Sequence, residues 1–501
     1  MKQIGYYLLC GLFILLCQTV EAQSPSHQKV RTIVTTDGEV DDMDSFIRML
    51  LYTNEFKVEG LIYSSSMWHY KGDGKGALFT SEMPMTAKMY GAITDLRWVG
   101  TTWMQEMIDK YAKVYPNLIQ HDPSYPTPEY LKSVIRVGNI DFEGEMAKDT
   151  EGSDFIKKIL LDNNDQPVYV QMWGGTNTLA RALKSIEEEY KSKPEWQSVY
   201  KKVSAKTILY IILDQDAAYK KYVEKSWPDV KVIYNSRQFW CLGYGGVRIF
   251  PEPLKKYLSG EWFSKNIISG HGSLLETYYL WGDGRQIAGD KEHNQWNEEV
   301  MKKANMSKFD FLSEGDSPSY FHLLDFGLGQ IENPSYGGLG GRFVQSPDVK
   351  SRWEDGKESA DYNPFTQKQD ATYSQVRWFG VLQNDFATRA EWCVKKYSEA
   401  NHAPRVSVEN NQITAKAGEK IILKGSATDP DKNQLTYQWW QYAEAGTYPK
   451  TVDIQDKDKP VAMVSIPADA VKGQTLHFIL EVTDNGTPQL TRFQRIVVQI
   501  N

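Results

Sequence analysis

A β-branched run, Lys29–Thr36, ends abruptly in an acidic turn: Thr35-Thr36-Asp37-Gly38-Glu39-Val40-Asp41-Asp42-Met43-Asp44. Met43–Tyr52 then reads as a helix, so the carboxylates crowd a strand-to-helix junction. Carboxylates this close repel one another unless solvent or a cation offsets them. A hard divalent cation needs several oxygen ligands, and Ca²⁺ takes six to eight. Asp41 and Asp42 also suit a helix N-terminus, whose dipole favours negative charge. Both readings require a strand to stop, and a helix to start, at the same turn.

The same alternation continues down the chain. Phe56–Ser64, Gln166–Gln171, Thr207–Leu213 and Val230–Tyr234 read as further strands, and Leu179–Tyr190 as a helix after Gly174-Gly175. This order predicts an α/β domain over about residues 28–395, a mostly parallel sheet flanked by helices. Ligands bind such sheets at the carboxyl ends of the strands. Here those ends carry Asp37, Ser64–Ser66, Gly174-Gly175 and Asp214. After Asn401-His402-Ala403-Pro404 the pattern changes to short alternating runs broken by turns such as Asp429-Pro430-Asp431 and Asp484-Asn485-Gly486. Residues 403–501 therefore predict an immunoglobulin-like β-sandwich.

Residues 1–22 read as a secretory signal, with Lys2 at its charged end, an apolar stretch from about Ile4 to Cys17, and cleavage after Ala22. Lipidation at Cys17 is the alternative. Secretion or a periplasmic location is expected. No other apolar stretch is long enough to span a membrane. Removing this segment leaves Cys241 and Cys393, as one disulfide or as two free thiols. The net charge of -7 argues against a nucleic-acid partner. The chain is 13% aromatic, with 15 Trp and 29 Tyr, which suits either sugar-stacking surfaces or large aromatic cores. There is no His-Glu-x-x-His, Gly-x-Ser-x-Gly, Cys-x-x-Cys or dinucleotide fingerprint.

A strand running into Asp-x-x-x-Asp-Asp resembles the opening motif of nucleoside hydrolases, Asp-x-Asp-Pro-Gly-x-Asp-Asp. Trp173–Ala180 resembles that family's Gly-Pro-Leu-Thr-Asn-Ile-Ala, and Gly315-Asp316-Ser317-Pro318 its His-Asp-Pro. The resemblance covers about residues 28–345. It implies a Ca²⁺ ion held by Asp37, Asp41, Asp42, the Thr176 carbonyl and Asp316, with Asp37 as general base toward a water. The departures fall elsewhere. Thr35 replaces the first Asp, Gly38-Glu39 replaces Pro-Gly, and Gly315 replaces a His that some members carry. The family's sugar-contacting Asn falls near Ser66 or Met67. Metal and base persist while the ribose and nucleobase contacts are rebuilt.

Ser64–Asp73, Glu314–Tyr320, Gly337–Phe343 and Leu435–Trp440 resemble a family of secreted proteins described as cellulose-binding. That family joins a nucleoside hydrolase-like domain to an immunoglobulin-like one. Leu339 stands where Trp is expected. Ser66, Trp68, His69, Asn177, Asp214 and Glu314 are the candidate substrate contacts. For several a plainer role is open: Trp68 packing on the sheet, His69 as a structural hydrogen-bond partner, Asp214 and Asp216 as helix caps, Glu314 as a turn acid. Gly337–Gly341 permits close approach of a ligand or of another loop. Asp429, Asp431 and Asn433 suit a second Ca²⁺ or a polar turn. Trp439 and Trp440 must face opposite sides of their strand. The expected function is Ca²⁺-dependent hydrolysis of an N- or O-glycosyl bond in a carbohydrate or glycosylated small molecule. The alternative is carbohydrate binding without catalysis. Oligomeric state stays open.

Overall fold

The computed structural model describes residues 28–295, 298–303 and 306–501. The expected signal segment, with Cys10 and Cys17, lies outside the described residues. Among those described, no helix is long and apolar enough to cross a membrane.

Eight strands form the central sheet: β1 (Arg31–Thr36), β2 (Lys57–Tyr63), β3 (Ile135–Val137), β4 (Val168–Met172), β5 (Thr207–Ile212), β6 (Lys231–Asn235), β7 (Val344–Gln345) and β8 (Arg352–Glu354). Their order is β3-β2-β1-β4-β5-β6-β8-β7, parallel except where β7 meets β8. β1 lies mid-sheet and is buried along its whole length. Successive side chains point to opposite faces, so Ile33 and Val34 enter different cores. On one face lie α1 (Val40–Leu50), α2 (Trp103–His121) and, late in the chain, Phe379–Trp392. On the other lie α3 (Glu151–Leu161), α4 (Asn177–Tyr190) and α5 (Trp196–Lys206). Thr35 pairs with Ile62 of β2 and Met172 of β4. That register brings Asp37, Ser64 and Gly174 abreast at the carboxyl ends of the strands.

The C-terminal region is a two-sheet sandwich. Its strands are β9 (Arg405–Val408), β10 (Gln412–Ala415), β11 (Lys420–Thr428), β12 (Leu435–Gln441), β13 (Ile454–Gln455), β14 (Val461–Ser465), β15 (Thr475–Asp484) and β16 (Thr491–Ile500). They form sheets ordered β9-β11-β14-β13 and β10-β16-β15-β12. Only β10 and β16 pair in parallel. Trp439 is fully buried between the sheets. Trp440 faces the other way and packs on Trp378 of the first domain, ring centroids 6.1 Å apart, so it serves domain packing. Cys241 and Cys393 are both buried and unpaired.

Candidate functional site

The acidic turn folds as it does because of Gly38. Its φ is +85°, and a Cβ there would lie 2.6 Å from Val99 Cγ2. Only glycine meets both demands. The Thr36 hydroxyl donates to Asp42 Oδ1 at 2.5 Å and accepts from the Gly38 N–H at 3.2 Å. These bonds set Asp41 and Asp42 in the first turn of α1. Asp316 arrives from the far side, at the N-terminus of α6 (Ser317–Phe321). Asp41, Asp42 and Asp316 each present an oxygen within 4.8 Å of the others. Asp37 stands beside them, 2% exposed, with its Oδ2 buried and without a hydrogen-bond partner. Gly174 and Gly315 complete the cradle. A Cβ at Gly174 would meet Asp37 Cγ at 2.9 Å, and one at Gly315 would meet Asp41 Oδ2 at 2.6 Å.

Burial dominates the acidities, and mutual repulsion adds to it. Burial and Asp37 push Asp41 up to about 6. Burial and Asp41 push Glu39 up to about 8. Burial likewise raises Asp37, Asp42 and Asp316, the last two also through their carboxylate neighbours. Among the described residues, no lysine or arginine forms an ion pair with Asp37, Asp41, Asp42 or Asp316. An all-oxygen carboxylate cradle with no cation paired directly to it and an orphaned buried carboxylate oxygen fits a hard divalent cation.

A cleft of about 230 Å³ opens above this floor. Its walls come from the ends of the central strands and two long loops. They include Trp68, Tyr90, Arg97, Trp173, Trp240 and Tyr244. Arg97 lies 3.6 Å from Glu39 and 3.5 Å from Glu292, and sits over the Trp68 ring at 5.7 Å. The Tyr244 hydroxyl donates to Glu39 Oε1 at 3.1 Å and lies 3.4 Å from Asp41 Oδ1.

The sequence-predicted residues divide. Asp41, Asp42, Asp316 and Trp68 meet at the cleft, with Asp37 buried beside the three carboxylates and outside the cleft lining. Ser66 lies beneath it, next to Asp37, and its Oγ accepts from the Trp68 N–H at 2.9 Å. Thr176 starts α4, and its carbonyl accepts the Ala180 N–H at 2.9 Å. The rest are engaged internally. His69 is fully buried, with Nδ1 2.7 Å from the Arg97 carbonyl, and burial drives its pKa far down. Asn177 donates to Ser65 Oγ and the Asn139 carbonyl. Asp214 accepts backbone N–H groups from Tyr219 and Lys220, and Asp216 caps α4 through the Asn177 N–H at 2.9 Å. Glu314 pairs with Arg48 at 3.1 Å and accepts from Tyr278 and Ser317.

The glycine loop approaches other protein segments: a Cβ at Gly340 would meet His322 backbone at 2.6 Å, and Leu339 is core. Asp429 accepts the Asp431 and Asn433 N–H groups as a polar turn, while Asp431 holds His402. Arg97, Tyr90, Tyr244 and Glu292 had no sequence signal. Arg97, Tyr244 and Glu292 sit in loops, and Tyr90 ends the short helix Pro84–Tyr90, all positioned by tertiary packing.

Residues 31–343 match the family model described as cellulose-binding Sde182, nucleoside hydrolase-like domain. The chain belongs to the Sde182 family. Residues 420–500 of this Sde182-family chain also match the model described as cellulose-binding protein Sde0182, C-terminal domain. Among solved structures it is similar to a nucleoside hydrolase-related hypothetical protein from Saccharophagus degradans that is associated with carbohydrate metabolism. Identity there is 26%, over 94% of this chain and 100% of that one, with a TM-score of 0.70. Mouse cadherin-23 EC22-24 aligns with 20% of this chain and 33% of its own, at 20% identity and a TM-score of 0.17. No curated protein matches the sequence.

Proposed function

We propose that this chain acts outside the cytoplasm as a Ca²⁺-dependent hydrolase of a glycosidic bond in a carbohydrate-containing substrate. One observation carries the reading: three carboxylates converge beneath an aromatic-walled cleft, beside the unpartnered Asp37 Oδ2. Asp41, Asp42 and Asp316 would hold the ion, with Asp37 and the Thr176 carbonyl as the resemblance implies. A bound Ca²⁺ supplies Lewis acidity that eases proton loss from a water. Asp37 Oδ2 is the atom placed to receive that proton. Trp68 and the exposed Trp240 offer apolar faces for a sugar ring. No imidazole reaches the cleft from His69, so proton supply to a leaving oxygen falls to the Glu39–Tyr244 pair. The family's cellulose-binding name and the secretion expected from residues 1–22 agree with a glycan met outside the cell.

A specific observation favours a second reading, glycan binding without cleavage. Asn177 and Glu314 are hydrogen-bonded internally and His69 is fully buried, which leaves few polar groups to orient a sugar. The test separates the two. Reducing-sugar release from β-glucan oligosaccharides and aryl glycosides is measured with Ca²⁺ and with EDTA, for wild type and Asp37→Asn. Hydrolysis requires activity that EDTA removes and that Asp37→Asn lowers about 10²–10⁴-fold, with sugar binding kept. Undiminished activity in Asp37→Asn would refute the mechanism. Retention on cellulose with no cleavage by wild type would establish binding alone.

A further inference from the structure

The cleft is one of two adjoining chambers. A second cavity, about 620 Å³, shares Glu39, Arg97, Tyr244 and Glu292 with it as a common wall. The wall is a built feature. Tyr90 donates to Glu292 Oε1 at 2.5 Å, Tyr244 donates to Glu39, and Arg97 bridges the two carboxylates. Arg97 is itself held in a left-handed conformation, φ +41°, unusual for a residue with a side chain. The buried His69 pins its carbonyl at 2.7 Å. Backbone strain of this kind persists only where the surroundings over-determine it.

The carboxylate floor lies in the smaller chamber. The larger one combines the apolar Val40 and Val247 with Arg248, Lys255 and Asp290. Its charges largely answer each other: Arg97 faces two carboxylates, and Lys255 pairs with Glu252 at 2.6 Å. Such a surface carries donors and acceptors of both signs with little net field, and it suits hydroxyl-rich neutral groups better than phosphate or uronate. Its volume is more than twice that of the reacting chamber, more than a lone leaving base or aryl ring would fill.

Resting on the glycoside reading above, we infer that the substrate is a neutral oligosaccharide of at least three sugars. One unit lies over the carboxylate floor, and the following units lie in the second chamber beyond the Glu39–Arg97–Tyr244 wall. Val247 and Arg248 line only the second chamber, so they separate its contribution from that of the metal site.

Calorimetric titration of the Ca²⁺-saturated full chain with cello-oligosaccharides, from the disaccharide to the hexasaccharide, tests this. Affinity should rise about tenfold or more between the disaccharide and the tetrasaccharide. Val247→Trp, which fills the second chamber, should erase that gain and leave disaccharide affinity unchanged. Arg248→Ala removes bulk, so it does not risk overpacking, and it should weaken only the longer sugars. Affinity independent of length, or a gain that survives both substitutions, overturns the two-chamber inference and leaves the hydrolase reading intact. Failure of wild type to bind a sugar of any length overturns the carbohydrate reading and this inference together.

Discussion

At the residue scale, the carboxylate floor makes stability depend on pH and on calcium in linked ways. Asp41 and Glu39 are raised to about 6 and about 8, and Asp37, Asp42 and Asp316 are raised as well. A group whose folded pKa exceeds its unfolded one stabilises the fold at low pH and loses that contribution as pH climbs through the folded value. In EDTA the protein should therefore melt lower near pH 8 than near pH 5. Calcium binds the deprotonated set, so its stabilisation grows over the same window. Scanning calorimetry should find the melting gap between calcium and EDTA widening from about pH 5 to about pH 8. A constant gap would mean that these carboxylates do not hold the ion. Asp37, Asp41 and Asp42 were legible in the sequence because strand, turn and helix signals all met there. The internal contacts of His69, Asn177 and Glu314 were not legible, because a buried polar residue held by its neighbours has the same letter as one that faces a ligand.

At the scale of elements, the β1–α1 turn is the most constrained joint in the molecule. Gly38→Ala would place a methyl 2.6 Å from Val99 and 3.0 Å from Trp103 while forcing φ +85° on a residue with a Cβ. The cost should be about 1–3 kcal/mol from backbone strain, with the steric clash in addition. Because the turn spaces Asp37 from Asp41, calcium affinity should fall as well. Urea denaturation and calorimetry of the one variant measure both effects. Lost stability with unchanged calcium affinity would show that the turn does not set the metal geometry. The central strands β1, β2, β4, β5 and β6 were readable as β-branched runs. β3, β7 and β8 are two or three residues long, too short for periodicity to register, and they pair because neighbours present edges. β10 was hidden for a related reason: four residues added in parallel to the long β16 carry no hairpin signal.

At the scale of the whole molecule, two domains legible as separate patterns prove to be locked together by contacts no local pattern encodes. The Phe493 and Arg495 N–H groups donate to Phe326 and Gly327 carbonyls, continuing β16 onto the first domain. The Arg495 guanidinium donates to the carbonyls of Leu328, Tyr336 and Gly337. Tyr442 reaches the buried Asp361 at 2.6 Å, and Asp361 also holds Arg342 and Arg377. Trp378 packs edge-on against Phe493, ring centroids 5.4 Å apart. With this much polar and aromatic surface shared, the wild-type domains should unfold in a single calorimetric transition. Arg495→Ala strands three carbonyls at the junction, at about 1–3 kcal/mol for each buried group left unsatisfied. The substitution also removes the Arg495 contact to His477 within the sandwich, but the three carbonyls lie at the interface and the sandwich core of Leu423, Trp439 and Leu480 is untouched. The variant should therefore resolve into two transitions, with the calcium-dependent shift confined to one of them, because Asp41, Asp42 and Asp316 all belong to the first domain. Two transitions already present in wild type would mean that the junction, for all its hydrogen bonds, does not couple the domains. A single transition retained in Arg495→Ala would move the coupling to the Asp361–Tyr442 cluster, where Tyr442→Phe is the corresponding cut.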